Sequence, residues 1–492
     1  MTAAQARRSR KIARPRERSA PRSGPGAIRF GTSGWRGILG EEVSFPRLRV
    51  LVRAIAQWLR EQDRVPRVLV GFDARFASRA MAQMAAGVLL DEGFQPSLTK
   101  DRTPTPAVTH ALARGRYAAG LVLTASHNPP AYHGLKLFDA SGAIVADRHS
   151  RRIEAIARAR MNDDTPPRST RTPRAISLAE PYLDALERLV DSDALRAHPA
   201  TLVYDAMHGA AGGYLEVLMK RMEIPVEALR TTPDPTFGGA PPDPAAEHLA
   251  LLVERTRAQR GLALGIAHDG DGDRIGVVDG RGQVLSETRV LALLVDQLAS
   301  AGRISRGLAI GAATGSLVEK VARFHGLAVD RHPIGFKGLS QAMLDGSADA
   351  AGDESGGFAW APMGPDKDGI LAGALLVELV ARTGEPIETH VARLEAQFGS
   401  SACGRIALPR TAALEHAIER WSASPPVRIG RSPVVGVDLR FGLRLELGDG
   451  GFVMIRVSGT EPSVRIYAEA GDPRRLDQRL RDAARRLTRS GC

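Results

Sequence analysis

Three times along this 492-residue chain an unbroken apolar run stops in a loop of Gly, Asp, Ser or His: RVLVGFD (67–73), TLVYDAMHG (201–209) and RGLAIGAATGS (306–316). Short apolar runs bounded by such loops predict strands buried on both faces. Helical spacing follows, from Ser78 to Glu92 with Ser78 placed as an N-cap, and again from Ser316. Strands alternating with helices predict α/β domains, with ligands at the carboxyl ends of the strands. The unusual polar loops of this chain all lie at such ends.

At about 100–200 residues per domain the length predicts three or four domains. The polar, Pro-rich stretch 161–175 (MNDDTPPRSTRTPRA) reads as a linker. Residues 1–26 hold eight Arg or Lys against the single acid Glu17, more than half of the net charge of +12. That composition predicts a disordered basic tail rather than a nucleic-acid-binding surface on the folded part. The most apolar stretch, ILAGALLVELVA (370–381), carries Glu378 and is too short to span a bilayer, so a buried helix is expected and no membrane association. Two cysteines, Cys403 and Cys492, make no disulfide framework, and a cytoplasmic location is the expectation.

The chemistry concentrates in five loops. In HDGDGDR (268–274), Asp269, Asp271 and Asp273 alternate with glycines. Three crowded carboxylates repel unless a cation sits among them, and an all-oxygen set favours Mg²⁺ or Mn²⁺. An EF-hand would need Glu at its twelfth position, where Gly280 stands. Arg274 suits a nearby phosphate. In LTASHNPPAYHGLKL (123–137), Ser126 lies just past a buried strand and is followed by His127 and Asn128. It can be a nucleophile, given a base or charge partner, or an ordinary turn residue. FGTSGWRG (30–37), with Arg36, and RVSGTEP (456–462), with Arg456, Ser458, Gly459 and Thr460 and followed by Arg465, have the donors a phosphate needs. AGDESGGF (351–358) sets Asp353, Glu354 and Ser355 among glycines, a combination suited to sugar hydroxyls. The chain uses sixty arginines and only seven lysines, yet Lys136, Lys337 and Lys367 all lie in Gly-containing loop motifs. Lysine, unlike arginine, can be tuned to exchange protons, which makes Lys136 a candidate proton-transfer group.

In this order, FGTSGWRG, TASHNP, DGDGDR, GDESGG and R-x-SGTEP resemble the signatures of the α-D-phosphohexomutase superfamily (phosphoglucomutase, phosphomannomutase and relatives), over residues 27 to the C-terminus. The resemblance implies four domains around a central active-site cleft: three of related mixed-sheet α/β topology, at 27–165, 176–298 and 299–398, and a smaller C-terminal α+β domain at 399–492. It implies that Ser126 carries a phosphoryl group and that Asp269, Asp271 and Asp273 hold Mg²⁺ together with a phosphoserine oxygen. By the same likeness Arg36, His127, Lys136 and Arg274 surround the transfer. Asp353, Ser355 and Lys337 would bind the sugar, and Arg456, Ser458, Gly459, Thr460 and Arg465 its non-reacting phosphate. Hexose 1-phosphate and hexose 6-phosphate would interconvert through glucose 1,6-bisphosphate, in a monomer or homodimer.

Two departures bear on the sugar. Asp353 stands where the family usually has Glu. Gly357 stands where dual glucose/mannose enzymes and glucosamine mutases typically have His. With GFK at 335–337 and KDG at 367–369 this favours glucose phosphate, with mannose phosphate the runner-up. A metal-dependent phosphatase built on Asp271-Gly-Asp273 fits less well, because Arg274 and Ile275 follow where such enzymes have x-Thr or x-Val. A non-catalytic sugar-phosphate or nucleic-acid binder would have no use for Ser126 beside three aspartates.

Overall fold

A computed structural model describes residues 28–62, 65–198, 200–458 and 463–491. The basic tail, and with it the expectation of disorder there, lies outside the described residues.

Three sheets repeat one topology. In the first, Arg67–Phe72 pairs in parallel with Gln95–Thr99 and Ala119–Leu123, and Ala119–Leu123 folds back as an antiparallel hairpin with Tyr132–Asp139. In the second, Ala200–Asp205 takes the central place, with Val226–Leu229 and Leu262–His268 beside it and Ile275–Val278 closing the hairpin. In the third the same four places belong to Gly307–Gly311, Ala328–His332, Ala350–Gly352 and Phe358–Trp360. Edge strands extend the first two sheets: Trp35–Ile38 and Arg174–Ile176 on the first, Val284–Leu285 on the second. The repeat has a direct functional consequence. The turns of the three corresponding hairpins are the Ser126 loop, the aspartate loop and the GDESGG loop.

The apolar runs become strands because both faces are covered. Val68, Leu69, Val70, Leu121, Val122 and Leu123 are each fully buried. The stretch expected to be a buried helix is one, Gly369–Thr383, with every residue from Gly369 to Ala381 buried. Its Leu and Ile side chains contribute about 1.5–3 kcal/mol each relative to exposure. Asp368 caps it, accepting from Leu371 N at 2.9 Å. No helix among the described residues is long and apolar enough to cross a membrane.

Two local expectations are corrected. Ser78 is the first residue of the helix Ser78–Asp91 rather than its cap, which is Ala77. Its hydroxyl is drawn away to Asp73 at 2.6 Å and His133 at 2.9 Å, so it cannot reach back to the helix N–H groups. Lys136 is not in a loop. It lies within the strand Tyr132–Asp139, where its neighbours Leu135 and Leu137 face the core and leave the lysine on the opposite side, toward the aspartates.

The C-terminal unit is a six-stranded sheet in the order Ala402–Pro409, Ser463–Ala470, Phe452–Val457, Leu443–Leu447, Ser432–Asp438, Arg428–Ile429. The helices Ala412–Ala423 and Pro473–Gly491 share one apolar core with it. It is joined to the third sheet's unit by Glu469, only 3% exposed. Glu469 accepts from Ser316 N at 3.0 Å, Ser316 Oγ at 2.8 Å and Ser401 Oγ at 2.6 Å, at the start of the helix Ser316–Phe324. Hydrogen bonds to a buried charge are worth about 1.5–3 kcal/mol each, and a helix N-terminus favours an anion. Glu469→Ala is therefore expected to lower unfolding stability by about 2–4 kcal/mol in denaturant titration. A loss below about 0.5 kcal/mol would contradict this role.

Candidate active site

Ser126 follows the strand Ala119–Leu123 with φ 54°, a left-handed conformation uncommon for a residue with a side chain. Its surroundings hold it there. Ser126 N donates to Thr124 Oγ1 at 2.8 Å. The Arg75 guanidinium donates to the carbonyl oxygens of Ser126 and Asn128, both at 2.6 Å, of Pro129 at 2.9 Å and of Tyr132 at 3.0 Å. Arg75 is itself anchored on buried Asp73 at 3.2 Å.

Ser126 Oγ donates to Asp269 Oδ2 at 2.6 Å and lies 3.5 Å from His127 Nδ1. The serine loop and the aspartate loop thus meet directly. Gly270 leaves no room for a side chain between them: a Cβ there would lie 2.5 Å from the carbonyl oxygen of Ser126. Asp269 Oδ1 accepts from the backbone N–H of Asp273 at 3.0 Å and of Arg274 at 3.1 Å, which folds the loop around its first carboxylate. Thr105, opening the helix Thr105–Ala113, donates through its hydroxyl to Asp271 Oδ2 at 2.5 Å.

Asp269, Asp271 and Asp273 offer oxygens within 4.8 Å of one another, all buried. Lys136 bridges two of them, 2.5 Å from Asp271 and in contact with Asp273. Lys367 approaches Asp273 at 3.3 Å and Asp366 at 3.4 Å, with its ammonium 4.8 Å from the centre of the Phe336 ring. The carboxylates are not equivalent. Burial, then Asp271 and Asp273, push the Asp269 carboxyl well above the usual carboxylate range. Burial acts the same way on Asp273, but Lys136, Lys367 and Arg274 outweigh it and hold that carboxyl below the range. Burial, then Arg274 and Arg36, keep the His127 imidazole neutral, with its pKa well below the ordinary histidine value.

The unpaired atoms show what the site is built to receive. Among the described residues, Asp271 Oδ1 and Asp273 Oδ1 are buried without a hydrogen-bond partner, and so are the donors Arg36 Nε and Arg274 Nε. A buried orphan costs about 1–3 kcal/mol, so acceptors and donors orphaned together call for a cation and an anion side by side. Three carboxylates of a hard, all-oxygen set fit Mg²⁺.

The other expected residues are placed as follows. Arg36 donates to Asn128 Oδ1 at 3.1 Å, beside the serine loop. Asp353 is turned onto its own loop, its Oδ1 accepting from Ser355 Oγ at 2.6 Å, Ser355 N at 3.0 Å and Gly357 N at 3.2 Å. Glu354 Oε2 is left without a partner among the described residues, and burial followed by Asp353 raises the Glu354 carboxyl to about 7. Lys337 lies in the helix Phe336–Leu344 and pairs with Asp147 at 2.5 Å. Arg456 and Arg465 are direct partners across the strands Phe452–Val457 and Ser463–Ala470, and Ser458 N donates to Ser463 O at 2.8 Å. Gly459 and Thr460 lie outside the described residues. Sequence reasoning missed Arg75, Thr105 and Asp366. The signal for Arg75 was available: a charged pair, Asp73 and Arg75, directly past a fully apolar strand.

A buried serine hydroxyl against three carboxylates, ringed by guanidinium and ammonium groups, is an arrangement suited to phosphoryl transfer. The sequence comparisons give the family. Residues 27–164, 180–282 and 287–398 match phosphoglucomutase/phosphomannomutase alpha/beta/alpha domains I, II and III, and residues 436–487 match the C-terminal domain of that family. A Thermus thermophilus protein assigned as a phosphomannomutase superposes with a TM-score of 0.83 at 31% identity, covering 94% of this chain and 99% of its own. A phosphoglucomutase/phosphomannomutase of Thermococcus kodakarensis is 27% identical over 449 residues, 90% of this chain and 94% of the relative. The chain belongs to the phosphoglucomutase/phosphomannomutase family and is an intramolecular phosphotransferase. Relatives at similar distance bear the names phosphoglucosamine mutase and phosphopentomutase, so the family does not by itself fix the sugar. An Aspergillus fumigatus N-acetylphosphoglucosamine mutase sharing the fold (TM-score 0.57, 14% identity, 95% of this chain and 96% of its own) was solved with GlcNAc-6P and magnesium.

Proposed function

We propose that this enzyme interconverts glucose 1-phosphate and glucose 6-phosphate through a phosphoserine at Ser126 and glucose 1,6-bisphosphate. The observation that carries the reading is the position of Ser126 Oγ, 2.6 Å from Asp269 among orphaned carboxylate oxygens and orphaned guanidinium nitrogens. In the forward half-reaction the Ser126 O–P bond breaks as a sugar hydroxyl oxygen bonds to the same phosphorus. The sugar hydroxyl gives up its proton to a neighbouring base and the departing Ser126 Oγ takes up one in exchange, so no net proton is lost; the position of His127 Nδ1, 3.5 Å from Ser126 Oγ, supports its part in that exchange. The bisphosphate then turns over, and its other phosphoryl group returns to Ser126 by the reverse step. Arg36, Arg274, Lys136 and Lys367 offset the negative charge of the transferring group, which is most of what phosphoryl transfer requires. Asp269, Asp271 and Asp273 would hold Mg²⁺, which when bound supplies charge neutralisation at the phosphoryl oxygens. Arg456 and Arg465, opposite each other on two neighbouring strands, suit the phosphate that is not reacting.

Glucose is favoured because residue 357 is Gly and Lys367 occupies the space beside it. In a coupled assay with Mg²⁺ and a trace of glucose 1,6-bisphosphate, kcat/KM for glucose 1-phosphate is expected to exceed that for mannose and glucosamine 1-phosphates by about tenfold, the scale of one net hydrogen bond of about 1.4 kcal/mol. A higher value for either competitor would reassign the sugar. Release of free phosphate in place of the 6-phosphate would point to a phosphatase.

A further inference from the structure

We propose that Gly357 is a positioning residue for Lys367, its bare Cα leaving the gap through which the lysine stem reaches Asp273. The backbone of Gly357 is outside the left-handed region, so its conformation alone does not call for glycine. Space does. A Cβ on Gly357 would lie 2.3 Å from Lys367 Cδ, 2.8 Å from Lys367 Cγ and 3.1 Å from Asp353 Oδ1. These are mid-stem atoms of a side chain whose head is fixed by Asp273, Asp366 and the Phe336 ring. Lys367 is only 4% exposed, so it has no open solvent into which it can swing. Asp353 cannot yield either without giving up its bonds to Ser355 and to Gly357 N.

A methyl group at 357 therefore acts on the aspartate loop through Lys367. It pushes the ammonium off Asp273 and removes one of the charges that hold that carboxylate. In this packing a side chain at 357 and a lysine at 367 exclude each other. The inference needs the mutase reaction but holds whichever hexose is turned over.

A double-mutant cycle tests it. Gly357→Ala is expected to lose roughly tenfold or more in kcat/KM, since small displacements of charged groups in such sites cost up to about a hundredfold. Lys367→Ala is expected to lose at least as much. The double variant should match Lys367→Ala within about twofold, because no stem remains to be displaced. Multiplying losses, or an unimpaired Gly357→Ala, would overturn the proposal. Thermal unfolding gives a second reading that survives a poorly folded single variant. The double variant should melt no lower than Lys367→Ala alone, whereas a further drop would show that residue 357 acts independently of the lysine.

Discussion

Ser126→Ala is expected to lower kcat by at least about 10³-fold, the scale of losing a nucleophile whose partners cannot act without it. Binding of glucose 1,6-bisphosphate should survive within a few-fold, because Arg36, Arg274, Arg456 and Arg465 do not depend on the hydroxyl. The fold should survive too. Among the described residues, the Ser126 hydroxyl has the hydrogen bond to Asp269 and the long contact to His127, while the loop is held through its backbone by Arg75 and Thr124. Steady-state kinetics beside a calorimetric titration with the bisphosphate separates these effects. Turnover near the wild-type rate would remove Ser126 from the chemistry.

Arg75→Ala is expected to be nearly as damaging for a different reason. One guanidinium satisfies four carbonyl oxygens of the serine loop and the Asp73 carboxylate, all in a place only 3% exposed at Arg75. Its removal leaves a buried carboxylate unpaired, which costs about 3–5 kcal/mol. It also frees Ser126 to relax from its left-handed conformation, so a loss of about a hundredfold in kcat is expected even in the fraction that stays folded. Arg75→Lys should not rescue, since one ammonium cannot span five acceptors laid out for a planar fork. Denaturant unfolding and kcat on both variants check this; a lysine variant with wild-type activity would contradict it.

The sequence disclosed those parts of the site whose residues are close along the chain. Asp269, Asp271 and Asp273 announce themselves by spacing, and the strand ahead of them by its unbroken apolar run. The apolar runs also made the α/β units legible, since a strand covered on both faces has little choice of composition. The contacts between loops were hidden. Thr105 lies 166 positions from Asp271, and Lys367 reaches Asp273 from another sheet's unit, so no local pattern links them. Arg75 is marked in the sequence only by its place beside Asp73 at a strand end, because the backbone carbonyls it binds leave no side-chain motif. Lys136 stands out by the rarity of lysine, but its Gly-containing motif points to a loop and not to the strand it occupies. The strand Tyr132–Asp139 tolerates it only because carboxylates from a different hairpin cover its outer face. The C-terminal strands Ala402–Pro409 and Ser432–Asp438 alternate exposed and half-buried residues instead of forming apolar runs, so they carry little strand signal.

The central claim is that a phosphoryl group passes through Ser126. The direct measurement is transfer of label from phosphoryl-labelled glucose 1,6-bisphosphate to the enzyme, followed by peptide mapping and a chase with unlabelled hexose phosphate. Label confined to Ser126, approaching one per chain and discharged into hexose bisphosphate during the chase, is the expected result. Full turnover with no label on the protein, or label on another residue, would contradict it.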